Sequence, residues 1–178
     1  MLVYRPTQIN EIVSALKNDK AAIVLTDTIF GIICKKQELI YQIKHRNYEK
    51  KIVKFINDIN ALNMPKKYND GMKKYLPGKL TFIYQGNGYR IPNDKLLLQL
   101  IKIVGPLYCS SANITNQPPI TNINQSQAIF KEYEDEIFLI DKGTSTKNSC
   151  PSTIIDLDRK IILRHGEIDG KKILKNLF

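Results

Sequence analysis

Histidine and cysteine are scarce in this 178-residue chain, and their scarcity argues against several kinds of chemistry. Two histidines, His45 and His165, are too few for a zinc site or a histidine-based proton relay to be expected. The three cysteines, Cys34, Cys109 and Cys150, lie far apart, form no C-x-x-C pair and are odd in number, so no disulfide framework is expected and each reads as a small buried hydrophobe. No apolar run approaches the roughly 20 residues that span a bilayer. The opening "MLVYRPTQINEIV" lacks a basic stretch ahead of a long apolar core, so no signal peptide is expected and the reading is a cytoplasmic protein. The phosphate-cradling G-x-x-x-x-G-K-S/T loop is missing. Gly86-Asn87-Gly88 is no dinucleotide fingerprint, because no third glycine follows in place and no helix opens there.

Negative charge is also in short supply. The formal net charge is +10, and it is unevenly placed. Lys35 to Lys79 holds 12 Lys or Arg against 4 Asp or Glu, whereas Ile120 to Asp141 holds 1 against 5. A basic segment of this kind fits an anionic partner such as nucleic acid, nucleotide or phosphate, and it equally fits a lysine-rich solvated surface. Apolar residues make up 43% of the chain, enough for a globular core and too many for disorder.

Hydrophobic periodicity supplies the elements. Ile9, Ile12, Val13 and Leu16 follow helical spacing behind Thr7, a candidate N-cap, and predict a helix to about Asn18. "KQELIYQIKHR", "DKLLLQLIKIVG", "INQSQAIFKEY" and "DGKKILKNLF" read as further helices. "AAIVLT", "KIVKFIN", "LTFIYQG", "GYRIP", "PLYCSS", "EIFLID", "STIIDL" and "KIILRHG" read as strands, and "DTIFGIICKK" passes through a turn into more apolar residues. Helices and strands interleave without a repeat or a long linker, which predicts one α/β domain over residues 1–178. Two strand-to-strand connections are too short for crossover helices, so the sheet is expected to be mixed, parallel and antiparallel, twisted, with flanking helices and a basic concave cleft.

Two stretches could carry chemistry. "CSSANITNQPP" follows a predicted strand with small hydroxyl and amide residues; these form turns, and they also leave room for a ligand and hydrogen-bond to it. "KHRNYEK" places Lys44, Arg46 and Lys50 at a helix end, where they either complement the helix dipole or grip an oxyanion. Lys44 and Arg46, two apart, are expected to point the same way only on extended chain.

"LTDTIFGI", "KHRNYEK", "LPGKLTF", "YRIP", "SSAN", "PSTIID" and "LRHG" occur in that order between Leu25 and Gly166. Together they resemble the YrdC/Sua5 (TsaC) family of threonylcarbamoyl-adenylate synthases, in the short single-domain form. The resemblance implies a nucleotide-binding and catalytic set of Lys44 and Arg46 (the K-x-R half) with Ser111 and Asn113 (the S-x-N half). It implies further substrate contacts from Thr26, Thr28, Lys50, Arg90, Ser110, Ser152 and Arg164, and no metal ligand. Ser152 and Thr153 also read as a buried, hydrogen-bonded strand start. The chain departs from the family pattern where Leu25, Asn47 and Lys79 stand for prolines and Asn116 stands for glycine.

The reaction so implied joins L-threonine, bicarbonate and ATP, the last with Mg2+ on its phosphates, and gives threonylcarbamoyl-AMP and pyrophosphate. The adenylate then goes to partner proteins that modify a tRNA adenosine. The other reading is an RNA-binding protein of the YrdC/YciO type without this activity, in which the basic segment and its tyrosines would contact tRNA or double-stranded RNA directly.

Overall fold

Alternation with a period of two puts Ala21 and Ile23 on one face of a strand and Ala22 and Val24 on the other, and all four are buried. A strand covered on both faces needs helices above and below it, and the chain supplies them. The computed structural model describes residues 1–143 and 150–178. Its strands are β1 (Val3–Tyr4), β2 (Ala21–Leu25), β3 (Phe30–Cys34), β4 (Val53–Phe55), β5 (Leu80–Tyr84), β6 (Asn87–Arg90), β7 (Leu107–Ser111), β8 (Ile137–Ile140), β9 (Thr153–Asp156) and β10 (Ile161–Arg164). Its α-helices are α1 (Ile9–Lys17), α2 (Gln37–Lys44), α3 (Lys66–Met72), α4 (Lys95–Val104), α5 (Gln125–Ile129) and α6 (Gly170–Leu177). None of these helices is long and apolar enough to cross a membrane.

The strands form a single sheet in the order β1-β8-β2-β3-β7-β4-β6-β5-β9-β10. It is mixed, as expected: β1–β8, β2–β8, β4–β6 and β5–β9 are parallel, and the remaining pairs are antiparallel. The core has three parts. Ile12 and Leu16 of α1 pack with Leu97, Leu100 and Ile101 of α4 against Ala22, Val24, Ile33 and Phe138. Ile40, Tyr41 and Ile43 of α2 pack on the opposite face against Ile23, Ile32 and Leu139. Met72 of α3 and Ile173 and Leu177 of α6 cover Leu80, Phe82 and Ile155.

Several sequence expectations need correction. The N-cap of α1 is Gln8, not Thr7, and it makes no side-chain capping bond; its Oε1 instead accepts from the Arg5 amide at 2.9 Å. The helix expected at 123–133 is only α5 followed by a 3-10 turn at Lys131–Tyr133. Neither the two-residue β1 nor α3 was anticipated, because a pair of residues has no period and α3 carries only one fully buried side chain, Met72. Lys44 and Arg46 do not lie on extended chain. Lys44 ends α2 and His45 turns left-handed at φ 48°, with His45 N donating to Gln42 O at 3.1 Å and Arg46 N to Tyr41 O at 3.0 Å. This is a Schellman cap, which reverses the chain between the two cations.

The "LRHG" glycine has a packing reason. A Cβ on Gly166 would stand 2.4 Å from Pro151 O and 2.5 Å from Thr153 N, and main-chain atoms cannot swing aside as a side-chain tip can. Gly166→Ala should therefore lower stability by about 1–3 kcal/mol, the usual range for forced overpacking. Gly88→Ala, whose Cβ would meet Val53 at an ordinary 3.5 Å, should change it far less. Urea unfolding midpoints of the two variants test this, and equal midpoints would show that the chain around 151–153 yields freely.

Candidate active site

On β3, Gly31 and Ile33 share a face because they are two apart. Ile33 lies under α1 and α4, but Gly31 forms part of a cleft of about 240 Å³. Strand ends and loops line the cleft: Thr26, Thr28 and Gly31 beside Arg46 and Lys51, then Thr81, Arg90, Cys109, Ser110 and Ser111, and finally Ser152, Ile154 and Arg164. A Cβ on Gly31 would meet Cys109 Sγ at 3.0 Å and Thr26 Cγ2 at 3.2 Å, so the glycine of "TIFGI" keeps this floor low.

The turn after β2 is held by its own hydroxyls. Thr26 Oγ1 donates to Ile29 O at 2.8 Å and accepts from Thr28 N at 3.1 Å, and the two threonine hydroxyls lie 3.0 Å apart. Arg90, 5% exposed at the end of β6, reaches into this turn. Its Nη1 donates to Thr28 Oγ1 at 3.0 Å, its Nη2 to Asp27 Oδ1 at 2.8 Å and its Nε to Gly78 O at 3.0 Å. Asp27 Oδ2 also accepts from Asn93 N at 3.0 Å. On the far wall Ser152 lies 2.8 Å from Thr81 Oγ1, and Arg164 donates to Ser152 O and Oγ at 2.9 Å each. Ser152 and Thr153 are both buried and hydrogen-bonded.

Of the anticipated site residues, Thr26, Thr28, Arg46, Arg90, Ser110, Ser111, Ser152 and Arg164 line the cleft, whereas Lys44, Lys50 and Asn113 do not. Lys50 takes part through its carbonyl, which accepts from Arg46 Nε at 2.9 Å, while Arg46 Nη2 donates to Lys51 O at 3.2 Å. Lys44 is buried behind the S-x-N turn, its Nζ donating to Ser111 O, Asn113 O and Asn113 Oδ1 at 2.5, 2.6 and 2.9 Å. Lys51 and Asp27 went unassigned in the sequence. Asp27 was signalled by its place between Thr26 and Thr28, but nothing set Lys51 apart from its neighbours.

Charge in the cleft is one-sided. Among the described residues Arg46, Lys51, Arg90 and Arg164 line it, no carboxylate does, and only Arg90 of the four has a carboxylate within 4.0 Å. Burial pushes the Arg46 guanidinium down from its ordinary value, and burial with the nearby Arg90 does the same to Arg164; both remain charged. Burial pushes the Cys109 thiol up to about 12, so it is neutral and a poor nucleophile at neutral pH. The cysteines were all expected to be buried, but Cys150 is exposed and Cys109 is half-buried.

The family profile Sua5_yciO_yrdC, whose description reads telomere recombination, matches residues 14–166. An uncharacterized protein of Mycoplasma pneumoniae is 33% identical over 91% of this chain and 36% of its own length. A Methanocaldococcus jannaschii protein, provisionally named threonylcarbamoyl-AMP synthase, is 30% identical over 89% of this chain and 85% of its own. The chain spans about a third of the Mycoplasma relatives. Two crystal structures share the fold. P. abyssi Sua5 complexed with L-threonine has a TM-score of 0.82 at 22% identity and covers 99% of this chain and 60% of its own. E. coli YciO has a TM-score of 0.82 at 19% identity and covers 97% and 98%.

The buried Arg90–Asp27 pair, with side chains 6% and 8% exposed, gives a stability test. Asp27→Ala leaves a buried guanidinium without its counter-charge and should cost about 3–5 kcal/mol. Lys73→Ala at the exposed Lys73–Asp70 pair should leave the urea midpoint essentially where it was. A small loss in Asp27→Ala would mean that water reaches Arg90.

Proposed function

The chain belongs to the Sua5/YciO/YrdC family, and we propose that it is an L-threonylcarbamoyladenylate synthase, a nucleotidyltransferase acting on L-threonine, bicarbonate and ATP. The observation that carries this reading is the charge of the cleft: among the described residues, Arg46, Lys51, Arg164 and the Asp27-paired Arg90 line it together with six small hydroxyls and no carboxylate. Each of the three reactants brings negative charge, threonine through its carboxylate, and these charges would repel one another there unless fixed cations and donors offset the repulsion. Preorganised electrostatics of this kind contribute about 3 kcal/mol for a single donor.

The chemistry is written as follows. The threonine amine and bicarbonate give a carbamate and water. A carbamate oxygen attacks the α-phosphorus of ATP, and the P–O bond to pyrophosphate breaks with its electron pair leaving on pyrophosphate. Alignment of carbamate and α-phosphate lowers the barrier further by removing the need to find that geometry in solution. ATP arrives as its magnesium complex. Among the described residues the lining offers that ion no carboxylate, so phosphate oxygens and water would hold it.

No covalent protein intermediate is needed. Neither His45 nor His165 lines the cleft, so Ser111 has no imidazole there to activate it; its O–H donates to Asn113 Oδ1 at 2.5 Å, and toward a reactant the hydroxyl acts by accepting a hydrogen bond. Arg46 is held through Nε and Nη2 by the loop it belongs to, which leaves other N–H groups of its fork for phosphate or carbamate oxygens. The adenylate then passes to the partner proteins that modify tRNA. A second reading, an RNA-binding protein of the YrdC/YciO type without synthase activity, rests on the basic segment from Lys35 to Lys79 and its tyrosines.

Pyrophosphate release with ATP and bicarbonate, with and without threonine, separates the two readings; no threonine-dependent release removes the synthase. Valine should be used far more slowly than threonine, because it leaves hydrogen-bonding groups of the pocket unpaired. Arg46→Lys should keep the fold and lose turnover in kcat as well as in KM for ATP, whereas a charge-only role predicts near wild-type rates. Ser111→Ala should lose about 10- to 100-fold, the equivalent of about 1.5–3 kcal/mol for a hydrogen bond to a charged group, and should not be inert.

A further inference from the structure

Lys44 is a fully buried cation, 1% exposed, and all three of its N–H donors are taken. They go to Ser111 O at 2.5 Å, Asn113 O at 2.6 Å and Asn113 Oδ1 at 2.9 Å. Asn113 Oδ1 also accepts from Ser111 Oγ at 2.5 Å, and Asn113 Nδ2 donates to Ile114 O at 2.9 Å and Gln117 O at 2.7 Å. The turn grips Lys44 from the other side too, since Thr115 N and Oγ1 both donate to Lys44 O, at 3.0 and 2.7 Å. A lysine bound at both its carbonyl and its ammonium to one five-residue turn, with no donor left over, is not arranged to hold a phosphate.

Resting on the synthase reading above, we propose that Lys44 is a positioning residue: its ammonium sets the Ser111–Thr115 turn so that Ser111 faces the cleft, and it makes no contact with the nucleotide. The K-x-R pair then divides its labour. The left-handed His45 between them sends Arg46 to the cleft and leaves Lys44 behind it.

The role requires the charged form. A neutral amine has two N–H groups for three acceptors, so one buried acceptor would be orphaned. Burial, and secondarily the Arg46 guanidinium, push Lys44 down from the ordinary lysine value to about 8. The charged and titratable groups facing it are Arg46, from its own turn, and Cys109, on β7. Cys109 is held up at about 12, and an arginine keeps its proton, so neither changes charge around pH 8. The linkage has opposite signs for two readouts. Between about 8 and the unfolded lysine value of 10.5 the unfolded chain holds more protons at this group, so the group makes global stability rise with pH. Turnover, which needs the ammonium, falls over the same range.

Two measurements decide this. The first is a double-mutant cycle in pyrophosphate release with Lys44→Met, Asn113→Ala and the double variant. Positioning through the turn predicts that the double variant is no slower, within about 2-fold, than the worse single variant. A separate contact with the nucleotide predicts that the two losses multiply, which overturns the proposal. The second is an NMR titration of the nucleotide-free wild-type protein, which needs neither a variant that folds nor an active enzyme. The Asn113 side-chain amide signals should move together with deprotonation of the Lys44 ammonium near pH 8, while the melting temperature does not fall below that of Lys44→Met over the same interval. Asn113 signals indifferent to that titration would overturn the proposal even in a fully active enzyme. If no preparation releases pyrophosphate, the synthase reading fails while the titration still decides what Lys44 holds.

Discussion

One buried guanidinium holds the walls of the cleft together. Arg90 bonds the turn after β2 through Asp27 and Thr28, bonds the Gly78 carbonyl ahead of β5, and lies over the Phe55 ring with 5.7 Å to its centroid. Those partners come from separate stretches of chain, brought side by side by the sheet order β3-β7-β4-β6-β5. A charge so deeply buried is tolerable only with its donors satisfied and a counter-charge in contact, and Asp27 supplies the latter. The geometry of the cleft therefore depends on an ion pair that is itself unavailable to an anion.

That constraint sorts the cations. Arg90 is neutralised by Asp27, and Lys44 is consumed by main-chain and amide oxygens. Arg46, Lys51 and Arg164 line the cleft without a carboxylate partner among the described residues, and they form its free positive potential. Burial of two of these guanidiniums strengthens the attraction they exert, because the field of a charge is screened less where water is excluded.

Two of the four positions that differ from the family pattern have local solutions. Asn47 stands where a proline would stiffen the loop, and it stiffens the loop with its side chain: Oδ1 accepts from Glu49 N at 2.8 Å, and Lys50 N closes the turn on Asn47 O at 3.0 Å. Asn116, in the place of a glycine, adopts φ 69°, which asparagine tolerates better than most side chains. The Leu25 carbonyl accepts from Lys142 at 2.9 Å, and Lys142 also pairs with Asp94, the N-cap of α4, so the end of β2 is tied to that helix.

The α/β class, the mixed sheet and most of the elements were legible in the sequence, because each long element repeats its apolar residues at its own period and that period is a local property. The order of motifs likewise identified the family, since seven short strings in sequence carry more information than any one of them. What each cation does was not legible. Lys44 and Arg46 look alike in the string "KHR", and a basic helix end has several uses; only the left-handed turn at His45 and the arrival of Ser111–Thr115 from 67 or more residues away send one inward and the other to the cleft. The same holds for Lys50, which contributes a carbonyl where a charge was expected, and for Asp27, whose partner Arg90 is 63 residues distant. Hydrogen-bond partners are set by which strands become neighbours, and sheet order is a long-range property that no local period records.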